Sequence, residues 1–109
     1  MLQKIDYQGY KENIENGKQS CVLFITREEN CSVCKKVQPK LENLSEEYED
    51  FPFYMMDVYD AQAVLMDFRL KSLPQVIFFD DGEFHLNIPG DATEDDFALK
   101  VEYLMYYKQ

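Results

Sequence analysis

Two cysteines separated by two residues carry the clearest chemistry in this sequence. Cys31 and Cys34 enclose Ser32 and Val33, and a third cysteine, Cys21, lies ten residues upstream of Cys31. Side chains at positions i and i+3 share one face of a helix, so the two sulfur atoms can close a disulfide without moving the backbone. The same pair could also supply two ligands to a metal ion. The spacing therefore predicts either disulfide exchange or metal binding.

The position of the pair between a strand and a helix favours disulfide exchange. An apolar run at residues 22–25 is typical of a buried strand, and a helical apolar stripe follows, formed by Val33, Val37, Leu41, Leu44 and Tyr48. Cys31 falls at the start of this helix, where unpaired N–H groups and the helix dipole stabilise a thiolate. Cys34 lies one turn later and is predicted to be more buried. We therefore expect Cys31 to attack a substrate disulfide and Cys34 to release the reduced substrate.

A zinc site would require two further ligands. Cys21 and His85 would complete a set of four with Cys31 and Cys34, but the spacing matches no usual zinc pattern. Cys21 opens the apolar run and is predicted to belong to the core. His85 alternates with apolar neighbours and is predicted to project from the opposite face of its strand. We therefore expect no metal site.

Before and after the segment that carries the cysteine pair, residues 7–79 alternate between helical and strand patterns. Apolar residues recur at helical spacing over residues 7–14, before Gly17, and over residues 61–68, where a helix of about three turns is predicted. The segment 53–57 and the continuous apolar run at 76–79 indicate buried strands. Helices between the first strands require parallel crossovers.

The last quarter of the sequence predicts a hairpin followed by a helix. Asp81 and Gly82 form a tight turn, and the returning strand alternates through Phe84, Leu86 and Ile88. Gly90 ends that strand. Thr93 and Asp96 fit an acidic capping box for a helix whose core face carries Phe97, Val101 and Leu104. Pro39 is expected to kink the long helix. Taken in order, the predicted helices and strands indicate an α/β domain with a mixed sheet and helices on both faces.

Length and charge narrow the possible functions. The 109 residues suit one domain spanning 1–109. A net charge of -10 argues against nucleic acid and against an anionic membrane surface as partners. The segment from Met1 to Tyr10 has no apolar core of signal-peptide length, and no run reaches the roughly 18 apolar residues of a membrane span. With only three cysteines, these features predict a cytoplasmic protein.

From about Tyr7 to Lys108 the sequence resembles the thioredoxin superfamily. The Cys pair follows an apolar strand and opens a helix, and Pro39 follows Cys34 by five residues, where the family kinks this helix. The segment Ser72-Leu73-Pro74 precedes the third strand, where the family has its cis-proline. The hairpin turn Asp81-Gly82-Glu83 and the later Gly90 also match the family pattern.

The resemblance implies a three-layer α/β/α fold with a mixed sheet of four or five strands and four helices. Pro74 would be cis beside the cysteines, the backbone of Leu73 would pair with substrate, and the groove would be lined by Asn30, Leu73, Pro74, Pro89 and Gly90. The implied activity is that of a protein-disulfide reductase. It would act on disulfide-containing proteins, take electrons from a reductase or small thiol, and need no bound cofactor.

Other functions remain open at this point. The fold could serve as a binding or adaptor module, or the Cys pair could hold a metal ion or an iron–sulfur cluster. A glutathione-linked or peroxide-reducing member of the fold is a third alternative, although no basic glutathione pocket is evident beside the motif.

The sequence also departs from the family pattern. The usual Trp-Cys-Gly-Pro-Cys motif reads Asn30-Cys31-Ser32-Val33-Cys34 here. Counting back from the motif places Ile25 at the family's buried Asp and Phe53 at the Lys that partners it. Without this acid, resolution by Cys34 is expected to be slow unless water, a substrate group or the nearby Glu28 or Glu29 accepts its proton.

Overall fold

A five-stranded mixed sheet forms the middle layer of the computed structural model, which describes residues 1–108. Strands β1 to β5 comprise Gln3–Lys4, Cys21–Thr26, Phe53–Asp57, Gln75–Asp80 and Glu83–Ile88. Their spatial order is β1-β3-β2-β4-β5. Strands β1 and β2 run parallel to β3, whereas β4 is antiparallel to both β2 and β5. The expectation was a sheet of four or five strands, and the short β1 is the fifth.

Four helices connect or follow these strands. They comprise α1 (Tyr7–Gly9, continuing as a π-helical segment at Tyr10–Glu15), α2 (Ser32–Glu47), α3 (Gln62–Asp67) and α4 (Glu94–Glu102, continuing as a π-helical segment at Tyr103–Tyr107). Pro39 lies inside α2. The predicted three turns of α3 are wrong, because Arg69 adopts a left-handed φ of 56° that a right-handed helix cannot continue. No helix within residues 1–108 is long and apolar enough to cross a membrane.

The sheet divides the core into two clusters because successive side chains of a strand point to opposite faces. The first cluster lies under α2 and α4 and includes Phe24, Cys34, Val37, Leu41, Phe78 and Phe97. The second lies under α1 and α3 and includes Tyr10, Ile14, Leu23, Ile25, Val64 and Ile77. Helices thus cover both faces, as the alternating pattern predicted.

Two packing predictions are wrong. Val33, predicted in the core stripe of α2, is 41% exposed, because Cys34, three residues before Val37, takes the core-facing position of the first turn. Phe84 and Leu86, predicted on one face of β5, lie on opposite faces. The register between β4 and β5 shifts at Phe78/Phe79, so Phe84 packs in the second cluster and Leu86 against the first.

The start of α4 has the predicted capping box. Asp96 N donates to Thr93 Oγ1 at 3.1 Å, and Thr93 N donates to Asp96 Oδ2 at 3.0 Å. Two N–H groups that the first turn leaves unpaired are thereby satisfied. The cap fixes where α4 begins, directly after the loop that carries Pro89 and Gly90.

Candidate active site

A disulfide joins Cys31 and Cys34 at the start of α2. Cys31 is the N-cap residue, and its Sγ accepts a hydrogen bond from Cys34 N at 3.1 Å. The two Cα atoms are 5.3 Å apart. Cys31 is half-buried, whereas Cys34 is only 3% exposed. The unequal exposure agrees with the predicted order, in which Cys31 meets the substrate and Cys34 lies behind it.

The strand directions explain which loops surround the disulfide. The carboxyl end of β2 lies beside the carboxyl end of the parallel β3 and beside the amino end of the antiparallel β4. Because β5 is antiparallel to β4, its carboxyl end reaches the same edge. Residues far apart in the sequence, such as Asp57, Pro74 and Gly90, are therefore brought to the edge at which Cys31 follows β2.

A shallow groove of about 340 Å³ lies against the first turn of α2. Its lining contains four of the five residues predicted to contact substrate, together with Val33, Ser72, Gln75, Asn87 and Asp91; the four are Leu73, Pro74, Pro89 and Gly90. The Leu73–Pro74 peptide bond is cis. An added Cβ on Gly90 would lie 2.8 Å from Pro74 Cγ and 3.2 Å from Val33 Cγ1. Gly90 therefore lets the proline loop and the cysteine motif approach each other closely.

Asn30 lies apart from that groove. It is exposed, has a left-handed φ of 56°, and lines a separate polar cavity of about 600 Å³ with residues such as Arg27, Glu29 and Tyr59. Asparagine adopts this backbone conformation more readily than most residues, which suits the sharp entry into α2. The structure thus does not bring Asn30 together with the other predicted substrate contacts.

A hydrogen-bond network that was not predicted from the sequence joins three residues lining the groove, Ser72, Gln75 and Asn87. Gln75 is 5% exposed, and its Nε2 donates to Ser72 O at 2.8 Å and to Ser72 Oγ at 3.1 Å. Asn87 Nδ2 donates to Gln75 Oε1 at 2.9 Å. These bonds tie the loop before Pro74 to strand β5. A polar residue opening an otherwise apolar strand was the signal that could have revealed Gln75.

The sequence places Ile25 and Phe53 at the family's buried Asp and Lys, but the structure puts these two residues on opposite faces of the sheet. Ile25 packs in the second cluster, away from Cys34, so its assignment is wrong. Phe53 packs in the first cluster, on the Cys34 face, together with Val22 and Phe24, and Met55 packs against them. Thr26 and Asp57, which pair across β2 and β3, line a cavity that Cys34 also lines.

A second cavity opens behind the disulfide, and we call it the Cys34 cavity. It measures about 290 Å³ and is lined by Lys4, Thr26, Arg27, Glu28, Cys34, Lys35, Gln38, Met55 and Asp57. Glu28 lines it, but Glu29 lines the neighbouring cavity that holds Asn30. The surroundings of Cys34 therefore include polar and charged groups.

The remaining candidate ligands lie elsewhere. Cys21 is fully buried in the second cluster, and burial raises the pKa of its thiol. His85 is exposed and stacks on Tyr103, with ring centroids 5.7 Å apart. Over residues 1–108, no three His, Cys, Asp or Glu side chains form a group that could hold a metal ion. The four candidate zinc ligands are therefore not brought together.

The fold and the site define a class: thioredoxin-fold proteins with a disulfide-capable CxxC pair. The chain belongs to the thioredoxin family, whose model, described as Thioredoxin, matches residues 2–103. A mutant thioredoxin of known structure from Halobacterium salinarum NRC-1 superposes with a TM-score of 0.85 at 19% identity. The superposition covers 99% of this chain and 94% of that one, which shows the shared fold.

Curated relatives are similar over shorter segments. Thioredoxin H8 of Arabidopsis thaliana is 40% identical over 52 residues, covering 48% of this chain and 35% of the relative. Thioredoxin-2 of Saccharomyces cerevisiae is 34% identical over 60 residues, covering 55% of this chain and 58% of the relative. The matched segments thus span roughly a third to somewhat over half of these two relatives.

Proposed function

We propose that this chain is a thiol–disulfide oxidoreductase of the thioredoxin type that cycles between a Cys31/Cys34 dithiol and a disulfide. The observation that carries the proposal is the unequal placement of the two sulfur atoms. Cys31 is half-buried at the N-cap of a 16-residue helix, and Cys34 is 3% exposed one turn later. One sulfur can meet a substrate while the other is held in reserve.

In the proposed reaction Cys31 is the nucleophile. The N–H groups of the first turn of α2 and the positive end of the helix dipole stabilise its thiolate, and the Cys34 N–H already points at its sulfur. The thiolate attacks one sulfur of a substrate disulfide, and a mixed disulfide forms as the second substrate sulfur leaves. Cys34 then attacks Cys31, which restores the Cys31–Cys34 disulfide and releases the reduced substrate.

The groove beside Cys31 is the proposed substrate site. Leu73, Pro74, Pro89 and Gly90 line it together, and Val33 adds an exposed apolar contact from the motif itself. The backbone of Leu73, which precedes β4, would pair with an extended segment of the substrate. Asn30, on the other side of the motif, would contact only substrates that extend past Cys31.

The proposed substrates are disulfide-containing proteins, and a disulfide reductase or small thiol would return electrons to the cysteines. No bound cofactor is needed, because the two electrons are carried by the sulfur atoms. We further propose that residues 1–109 act as one domain and that the protein works in the cytoplasm, where such reductants keep thiols reduced.

Insulin reduction with dithiothreitol as electron source tests this function. We expect wild-type protein to accelerate insulin reduction well beyond dithiothreitol alone, and Cys31→Ser to lose the acceleration because the attacking thiolate is gone. Wild-type protein no faster than dithiothreitol would contradict a general reductase. A mass difference of about two daltons between oxidised and reduced forms checks independently that Cys31 and Cys34 pair.

A further inference from the structure

Resolution of the mixed disulfide requires Cys34 to lose a proton, and its surroundings oppose this. The residue is 3% exposed, and burial disfavours the charged thiolate. The residues of β2 on its face of the sheet are Val22, Phe24 and Thr26, none of which is an effective proton acceptor at neutral pH. A nearby base that is not part of β2 would therefore speed the second step.

The Cys34 cavity offers a path to such a base. Its volume of about 290 Å³ is enough for several water molecules, and its walls carry both hydroxyl and charged groups. Cys34 and Asp57 both line this cavity. A thiol and a carboxylate facing one polar cavity can exchange a proton through water without direct contact.

Asp57 is held in place at the end of β3. It pairs with Thr26 across the parallel strands, is half-buried, and accepts a hydrogen bond at Oδ2 from Tyr59 N at 3.0 Å. This bond orients the carboxylate within the turn that follows the strand. We propose that Asp57 accepts the proton of Cys34, through water in the Cys34 cavity, when the mixed disulfide is resolved. This inference rests on the proposed function.

The other carboxylate in the cavity is less suited to the role. Glu28 is ion-paired with Lys4 at 3.1 Å, and its side chain is 70% exposed. Glu28 Oε1 accepts the hydrogen bond from Lys4 Nζ, whereas Lys4 acts on Asp57 through charge alone. The remaining charged groups facing the cavity are the cations Arg27 and Lys35. They favour the Cys34 thiolate once it forms.

The Cys34 proton passes through water to Asp57, and the Cys34 thiolate attacks Cys31 Sγ of the mixed disulfide. The Cys31–Cys34 bond forms as the bond between Cys31 and the substrate sulfur breaks. The substrate leaves as a thiolate and takes a proton from Asp57 or solvent, so Asp57 ends as a carboxylate and no external oxidant or reductant is consumed.

The test is the lifetime of the mixed disulfide in a single turnover. Reduced protein is mixed with oxidised insulin, quenched in acid and analysed by mass spectrometry. We expect Asp57→Asn to slow resolution by about tenfold or more near neutral pH while leaving the formation of the mixed disulfide unchanged. The matched control is Asp60→Asn, which removes an acid from the neighbouring cavity, outside the Cys34 cavity, and should resolve at the wild-type rate.

The pH dependence separates proton transfer from a structural effect. The deficit of Asp57→Asn should shrink as the pH rises, because hydroxide can then replace the missing base, and Asp57→Glu should recover most of the rate. Resolution by Asp57→Asn at the wild-type rate, an equal slowing of both steps, or a deficit that does not change with pH would overturn the proposal. A larger effect of Glu28→Gln would overturn it too. Failure of wild-type protein to form any mixed disulfide would instead reject the proposed function.

Discussion

The two ends of strand β2 each have a cysteine nearby, but the structure treats the ends in opposite ways. Cys21 begins the strand, lies fully buried in the second cluster, and has its thiol pKa raised by burial. Cys31 follows the other end, is half-buried, and has its sulfur at the start of α2. The same type of side chain therefore packs in the core at one end of β2 and is a candidate nucleophile at the other.

The surrounding contacts explain this difference. At the amino end, Lys108 from the end of the last helix donates to Ser20, to Asp80 at the end of β4 and to Asp81 in the following turn, and these bonds tie the three segments together. At the carboxyl end, loops leave the strands and enclose a groove and a polar cavity. Both residues are cysteines, so the difference between them comes from the end of β2 at which each one lies.

The strongest test of the comparison removes the resolving thiol. Cys34→Ser should lose multiple-turnover insulin reduction almost completely, and a substrate should accumulate on Cys31 as a mixed disulfide, because no second thiol releases it. Mass spectrometry after non-reducing separation measures the trapped adduct.

The matched control for that variant is Cys21→Ser, since it removes one thiol from the opposite end of the same strand. It should keep most of the turnover and form no lasting adduct, although a buried hydroxyl lowers the free energy of unfolding by about 1–3 kcal/mol. Loss of turnover in Cys21→Ser at a temperature where it remains folded would show that Cys21 takes part in exchange.

The elements on both sides of this comparison were largely predictable from the sequence. The apolar run before the motif and the spacing of Val37, Leu41 and Leu44 after it define the strand and the helix that place Cys31. Such patterns are reliable because burial imposes them on every turn of a helix and every second residue of a half-buried strand. The capping box of α4 was predictable for a similar reason, since its bonds are local.

A second prediction concerns how tightly the groove is assembled. Gly90→Ala should raise the KM for insulin by about fivefold, or about 1 kcal/mol of binding free energy, because the new Cβ forces Pro74 or Val33 to move. The reactivity of Cys31 toward iodoacetamide should stay close to that of wild type, since the hydrogen bond from Cys34 N to Cys31 Sγ involves neither Pro74 nor the Val33 side chain. Steady-state kinetics and alkylation rates measure the two effects separately.

The control for this variant is Asp91→Ala, which changes an exposed residue lining the same groove without adding atoms near Pro74. It should leave the KM within about twofold of the wild-type value. An unchanged KM in Gly90→Ala would mean that substrate binds away from this groove, and the proposed contacts of Leu73 and Pro74 would then be wrong.

The parts of the site that sequence analysis misplaced depend on relations between distant segments. Ile25 was assigned by counting along a loop, but the register of β2 against β3 decides which side chain faces Cys34. Val33 was placed in the core by its helical spacing, although Cys34 takes the core-facing position of the first turn. Asp57 and Gln75 were missed because their significance depends on a cavity and a loop that only the folded chain brings together.

The smallest expected effect lies at the closed end of β2. Lys108 donates to Asp80, Asp81 and Ser20 from the end of the last helix. The hydrogen bond from the Lys108 ammonium lowers the pKa of Asp80 below its ordinary value of 3.8. A carboxyl whose pKa is lowered in the folded state stabilises the folded protein when the pH is above the carboxyl's ordinary pKa. That contribution disappears as the pH falls through the lowered pKa.

Because these groups are partly exposed, Lys108→Ala should lower the free energy of unfolding by only about 0.5 kcal/mol near pH 7. Urea titrations should show the difference shrink progressively as the pH falls below the ordinary pKa of 3.8, because Asp80 then becomes protonated first in the unfolded and finally in the folded state. Lys100→Ala, which removes a charge from an exposed position of α4, should show no such pH dependence. Insulin reduction by Lys108→Ala should match wild type, and a loss of activity would show that the two ends of β2 are not independent.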